Sequence, residues 1–239
     1  MTSFYPTLNT PTTTYTVQPG CGFLDPLYLK ALGSQHPAED FNAISGADTD
    51  LGDPVHAADD GEVLATGYDG YIGGMVEIRH ADGSTSGYWH LRDIHVKKGQ
   101  RVEGGDFIGQ IGSGGPRSKM LAHLHFYVKR PGVNLPLIYW PSTHEKDPTK
   151  CAAFIRANYF QPGEWLKARG AKRTLADLQG QHGEPARLLI DRGDGPVDVT
   201  GQLVQLSGNG VTLDARTATI RAYVNDVHPA SVPALPPQP

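Results

Sequence analysis

Three short motifs in this 239-residue sequence carry side chains suited to chemistry near neutral pH. The stretch AHLHFYV at 122–128 holds two histidines two residues apart. In a strand such residues point to one face, so His123 and His125 project together while Leu124 and Phe126 face the other way. On a helix the two rings would diverge. Adjacent imidazoles suit a site in which one binds a metal ion and the other works beside it. The stretch HPAED supplies His36 and Asp40, both acceptable zinc ligands at about 2.0–2.2 Å. A fully extended chain would hold them roughly 13 Å apart, so a shared ion requires a bend, which Pro37 and the following NAISG allow. The third motif, GYWHL, puts His90 on a strand, with Tyr88 expected on its face and Trp89 and Leu91 on the opposite one. Taken singly, each motif also fits packed or solvated histidines.

The elements that must position these residues are short. Between residues 54 and 130 apolar runs (GEVLATGY, GMVEIRHA, STSGYWHL, DFIGQIG, AHLHFYVK) alternate with breaks at DDG, YDGYIGG, HADG, KKGQ and VEGG. Strand-sized runs punctuated by Asp-Gly and Gly-Gly signal antiparallel hairpins, and helical periodicity is lacking there. An all-β domain is expected over 33–135. Residues 1–32 begin rich in Thr and Pro and read as an N-terminal arm. Residues 136–182 read as a loop followed by a short helix starting near Pro162. Residues 183–226 suggest a small β appendage, and 227–239 a Pro-rich tail.

Composition narrows the function classes. The net charge of −4 gives no argument for nucleic acid, and no stretch approaches the roughly 20 apolar residues of a membrane span. The start MTSFYPTLNT lacks the basic and apolar segments of a secretory signal, so synthesis in a cytoplasm is the expectation. Cys21 and Cys151 are too few for a disulfide scaffold; two reduced thiols are expected, with a single bridge left open. His80, His95, His144, His182 and His228 fall on turns or loops and are expected at the surface.

In order and together, the three motifs resemble the lysostaphin-type (LytM-type) zinc endopeptidases of bacteria and their phages. That family's pattern is His-x-x-x-Asp, then Tyr-x-His-Leu, then His-x-His before an aromatic residue. Here these read His36-Pro-Ala-Glu-Asp40, Tyr88-Trp-His90-Leu91 and His123-Leu-His125-Phe126. The segments DLGDPVHAADDGEVLATGY and VKKGQRVEGGDFIGQIGSGG are similar to its glycine framework, and the resemblance covers about residues 33–130. It implies an antiparallel β-sandwich of the lysostaphin/LytM type, with a duplicated hybrid motif. It further implies Zn2+ held by His36, Asp40 and His125, with His90 and His123 as the catalytic pair, in a zinc metalloendopeptidase acting on the stem or cross-bridge peptides of peptidoglycan. Without a leader, a phage-type bacteriolytic endolysin is expected, released through membrane holes or carried on the virion. Two departures stand out: Ala38 where the family usually has Gly, and His56 where Tyr is common, read here as framework. The alternatives are a non-catalytic wall-binding or regulatory member of the fold, and a carrier domain. The carrier needs a modifiable Lys at a tight turn between apolar residues, which this hairpin does not offer.

Overall fold

A computed structural model describes residues 2–174 in full, and beyond them the backbone of strands within 185–223. In chain order the elements are β1 (Phe4–Asn9), β2 (Tyr15–Val17), α1 (Pro26–Leu32), β3 (Glu39–Ala43), β4 (Pro54–His56), β5 (Gly61–Asp69), β6 (Gly73–His80), β7 (Thr85–Ile94), β8 (Arg101–Val102), β9 (Phe107–Ile111) and β10 (Leu124–Lys129). They continue as α2 (Pro141–His144), α3 (Pro148–Asn158), β11 (Tyr159–Phe160), α4 (Pro162–Ala168) and β12 (Lys172–Thr174). A four-stranded antiparallel sheet follows: β13 (Pro185–Asp191), β14 (Pro196–Ser207), β15 (Gly210–Ala215) and β16 (Ala218–Tyr223).

The expected antiparallel hairpins are present. One ten-stranded sheet runs β2-β3-β10-β7-β6-β5-β8, with β11 on β10, β9 on β7 and β4 on β9. Its central strands are covered on both faces, so side-chain alternation sorts residues between two apolar clusters. Leu124, Phe126 and Val128 of β10 join Val76 and Ile78 of β6 in the larger cluster. Tyr127 of β10 and Met75 of β6 face the other, closed by Cys151 and Ile155 of α3. Each fully buried Leu, Ile or Phe contributes roughly 1.5–3 kcal/mol through apolar burial, which fixes the strand register that the site depends on.

Alternation fails at one place. Against β6, Gly74 pairs with Leu91 while its neighbour Met75 pairs with Trp89, so His90 is an extra residue, a β-bulge. His90 has φ 66, a left-handed conformation uncommon outside glycine. Tyr88 and Leu91 therefore both enter the larger cluster, and Trp89 faces the other. This corrects the expectation that Tyr88 shares a face with His90 and Leu91 with Trp89. At the same point β7 changes partner: its pairing with β10 ends at Trp89↔His125, and its pairing with β9 begins at Leu91↔Ile111. The neighbouring Gly112 is required there, since a Cβ on it would lie 2.6 Å from the His90 carbonyl oxygen and 2.7 Å from Arg92 N.

Other expectations need correcting. The N-terminal arm of residues 1–32 packs on the domain and carries a helix as well: Phe4, Tyr5, Leu8 and Tyr15 are buried, Phe4 N–H bonds Ala58 O at 2.9 Å, β2 pairs with β3, and α1 spans Pro26–Leu32. The few apolar residues within the Thr/Pro-rich stretch are those that pack. Among the described residues, the 136–182 segment holds three helices, not one. The helix expected over 162–180 ends at Ala168; residues 175–184 lie outside the described residues, as do His182, His228 and the 227–239 tail. His80 is buried, with Nδ1 2.8 Å from Asp60 O and Nε2 2.9 Å from Ser86 Oγ. The cysteines need no correction: both are free thiols, as expected, Cys151 buried and Cys21 half-buried.

Candidate metal centre

β3 and β10 lie side by side in antiparallel register, with His125 directly across from Asp40. This cross-strand pairing brings His125 Nδ1 to 2.9 Å from Asp40 Oδ1. The bend expected before Asp40 occurs. Pro37 and Ala38 carry the chain from His36 into β3, so that His36 Nε2 lies 3.3 Å from Asp40 Oδ1 and 3.2 Å from His125 Nδ1. Ala38 is buried and does not take a positive φ, which explains why Ala is tolerated where the family usually has Gly.

These three atoms fit one zinc ion. Tetrahedral coordination at about 2.0–2.1 Å separates donor atoms by about 3.3 Å, close to the 2.9, 3.2 and 3.3 Å edges observed. The donor chemistry agrees. His36 Nδ1 sits 3.1 Å from Gly22 O; a carbonyl only accepts, so the proton is on Nδ1 and Nε2 presents its lone pair. Burial pulls His125 down to about 4, against the upward pull of Asp40, so its ring is neutral at physiological pH. For Asp40, burial pushes upward, but His36 and His125 outweigh it and hold the carboxyl well below its usual range. Two imidazoles and one carboxylate form the only such three-residue group with convergent ligand atoms among the described residues.

Two more imidazoles border this group. The His90 ring lies 4.7 Å from that of His123 and 5.6 Å from that of His125, centroid to centroid. His123 Nε2 is 4.0 Å from Asp40 Oδ2, so His123 and His125 do project to one side. Each of the two extra rings has Nδ1 committed to a backbone carbonyl: His90 to Ile72 O at 2.7 Å, His123 to Leu121 O at 2.8 Å. In both, Nε2 is left to act toward the site. Burial, then the neighbouring His123 and His125, bring His90 down to about 3, which keeps it a neutral acceptor.

Aromatic residues that the motifs did not single out complete the walls. Tyr28 of α1 stacks on His36 at 4.3 Å, and Trp89 stacks on His125 at 5.1 Å. Trp140 lies 6.0 Å from His36 and 5.7 Å from His125, its Nε1–H held by Ser34 Oγ at 2.7 Å. Nothing in the spacing of Tyr28 or Trp140 points to the site, because both arrive from helical or loop segments outside the strand pattern. His56 takes no part: it is buried, with Nδ1 on Gly105 O at 2.8 Å.

The sequence that builds this group is similar to known proteins. Residues 36–136 match the sequence model of Peptidase family M23. Peptidoglycan DD-endopeptidase ShyA of Vibrio cholerae is 33% identical over 105 residues, which is 44% of this chain and 24% of that protein. DD-carboxypeptidase/endopeptidase Mpg of Neisseria meningitidis is 38% identical over 127 residues, 52% of this chain and 29% of that protein. The chain thus spans less than a third of the length of these curated relatives. The catalytic domain of lysostaphin from Staphylococcus simulans is 24% identical, with TM-score 0.41 over 57% of this chain and 82% of that one. All five motif residues fall inside residues 36–136, the stretch that matches the model of Peptidase family M23.

Proposed function

We propose that the chain is a zinc-dependent endopeptidase that hydrolyses peptide bonds of peptidoglycan. The observation that carries this reading is the placement of two additional imidazoles, His90 and His123, beside a three-donor group with zinc-sized spacing. His36, Asp40 and His125 would hold the ion. Three protein ligands with a fourth position left over is the arrangement of a catalytic zinc, which supplies Lewis acidity toward a carbonyl and lowers the pKa of water toward about 7. The chain's own part is proton handling and charge stabilisation. With Nδ1–H tied to Ile72 O and Leu121 O, His90 and His123 offer Nε2 to take a proton from water or, once protonated, to donate to a developing oxyanion. The aromatic walls of Tyr28, Trp89 and Trp140, of which Trp89 is buried, strengthen those interactions by lowering the local dielectric.

Peptidoglycan as substrate draws on the names of the relatives, two of which are called peptidoglycan DD-endopeptidases. The lysin setting is a finer proposal that rests on the sequence resemblance alone. A non-catalytic member of the fold would have no use for the two extra rings held in matching tautomers. The test is digestion of sacculi of several wall chemotypes by zinc-loaded wild type and by His123→Ala, with fragments identified by mass spectrometry. Wild type is expected to release peptides and the variant to release few. A zinc-loaded wild type that releases none from any wall type refutes the reading.

A further inference from the structure

His123 stands outside the sheet ladder. β10 begins at Leu124, and His123 is tied to the sheet only by an isolated bridge to Gly112, with its N–H 3.2 Å from Gly112 O. The 112–122 stretch before it contains no strand or helix. Yet the ring must be held to within fractions of an ångström if it is to act on a substrate. Its Nδ1–H is bound by Leu121 O at 2.8 Å. That carbonyl belongs to the same planar peptide unit as Ala122 N–H, and Ala122 N–H donates to Asp48 Oδ1 at 2.7 Å. Because the peptide is planar and trans, its N–H and C=O point in opposite directions; fixing one fixes the other. Asp48, the Leu121–Ala122 peptide and His123 therefore form one line of hydrogen bonds, from a carboxylate through a peptide group to an imidazole.

Asp48 is itself on a braced loop. Ala43 N–H bonds Asp50 Oδ2 at 3.1 Å, Gly46 N–H bonds Ala43 O at 2.9 Å, and Ser45 Oγ and Thr49 Oγ1 lie 2.6 Å apart. Farther on, Gly52 N–H bonds Ile111 O at 2.8 Å. Ala47 takes φ 53, a conformation that a non-glycine residue keeps only when its surroundings enforce it. The loop leaves directly from β3, which carries Asp40, so it spans from a metal-ligand strand to the segment bearing His123.

We propose that Asp48 is a positioning residue for His123, acting through the Leu121–Ala122 peptide. The carboxylate fixes the plane of that peptide and polarises its carbonyl. The carbonyl holds the proton on Nδ1 and aims Nε2 at the site. This goes beyond the endopeptidase reading and rests on it for its kinetic consequence, but its structural consequence is independent of any substrate.

The test uses the full-length zinc-loaded protein with 15N-labelled histidine, as wild type, Asp48→Asn and Asp48→Ala. Asparagine keeps an acceptor oxygen; alanine removes it. Long-range 15N–1H correlation reads the His123 tautomer, amide exchange reads Ala122, and cross-linked muropeptide dimers give kcat and KM. In Asp48→Ala we expect mixed His123 tautomers and at least roughly tenfold faster Ala122 exchange. Its kcat should fall about 10- to 100-fold, the usual effect of removing a supporting hydrogen bond, with KM and zinc content unchanged. Asp48→Asn should restore the tautomer and most of kcat. If Asp48→Ala fails to fold, Asp48→Ser, whose hydroxyl is too short to reach the amide, takes its place with the same expectations. An alanine variant with wild-type tautomer and kcat overturns the proposal, as does an equal loss in Asp48→Asn. If wild type itself cleaves nothing, the endopeptidase reading fails while the tautomer and exchange arms still decide the role of Asp48.

Discussion

Beneath the stacked Trp89–His125 pair lies a buried ion pair whose removal has a calculable consequence. Glu77 of β6 and Lys129 of β10 are each 3% exposed at the side chain and contact one another directly. Tyr127 OH donates to Glu77 Oε1 at 2.5 Å, and Lys129 Nζ also reaches Leu135 O at 2.9 Å. Replacing Lys129 with Met keeps the aliphatic stem but leaves the Glu77 carboxylate buried with only the tyrosine hydroxyl beside it. Breaking such a pair by removing one partner costs about 3–5 kcal/mol, because the remaining charge is uncompensated. For a domain of this size that is a fall of roughly 10 °C in Tm. The ring of Tyr127 lies 5.6 Å from Trp89, edge-on, and so transmits any rearrangement to the floor of the metal centre. Urea unfolding of wild type, Lys129→Met, Glu77→Gln and the double variant measures the cycle. The double variant should recover most of the loss, since it leaves no buried charge. A loss below about 1 kcal/mol in Lys129→Met, or a double variant no more stable than the single one, refutes the reasoning.

Four further outcomes follow from the same coordinates. His36→Ala and Asp40→Ala should each abolish stoichiometric zinc binding, measured by elemental analysis after dialysis, because two donors no longer close a site; full zinc retention would contradict the ligand assignment. His90→Ala should keep its zinc and lose about 10²–10⁴-fold in turnover, read from peptide release. Gly112→Ala should disturb the bulge at His90, because the new methyl would meet backbone atoms at 2.6 and 2.7 Å. The cost is about 1–3 kcal/mol, with a fall in activity larger than that stability loss explains. The zinc-free protein should lose stability as pH falls below 6.5. Burial lowers His80 below its ordinary 6.5 and takes His90 to about 3, so the unfolded chain binds protons first on acidification and stability drops with pH. Denaturation midpoints that stay flat or rise from pH 7 to pH 4 would exclude this linkage.

Much of the site could be read from the sequence because its parts lie on, or just before, neighbouring strands. Period-two spacing predicts that His123 and His125 share a side, and glycine breaks mark the hairpins between motifs. The failures have local causes. The alternation expected at Tyr88–Leu91 assumed a regular strand, and one inserted residue cancels that assumption. The helices α1 and α3 went unforeseen although both carry the same start signal. Asp25 and Asp147 accept N–H groups of the first turn, and Pro26 and Pro148 occupy the position where no N–H is needed. An Asp-Pro pair also fits a turn, so it does not by itself disclose the helices that position Tyr28 and the α3 cover. His80 adjoins the Ala81-Asp82-Gly83 turn, yet it ends β6 and its partners lie on either side of it: Ser86 in β7, over the hairpin turn, and Asp60, just before β5.

The extra residue in β7 shifts the phase of the strand. Upstream of it, even-numbered Tyr88 belongs to the larger cluster; directly downstream, odd-numbered Leu91 does. A regular strand cannot set two consecutive side chains, Trp89 and His90, toward the same centre, so one ring that stacks on a ligand and one that works beside it are obtained from a single step of chain. The count of residues between Tyr88 and Leu91 is therefore as constrained as their identity. Deleting one residue at this point, even with every motif side chain retained, would rotate the rest of β7 by half a period and send Leu91 to the opposite face. Any graft of this motif onto another sheet must carry the insertion with it.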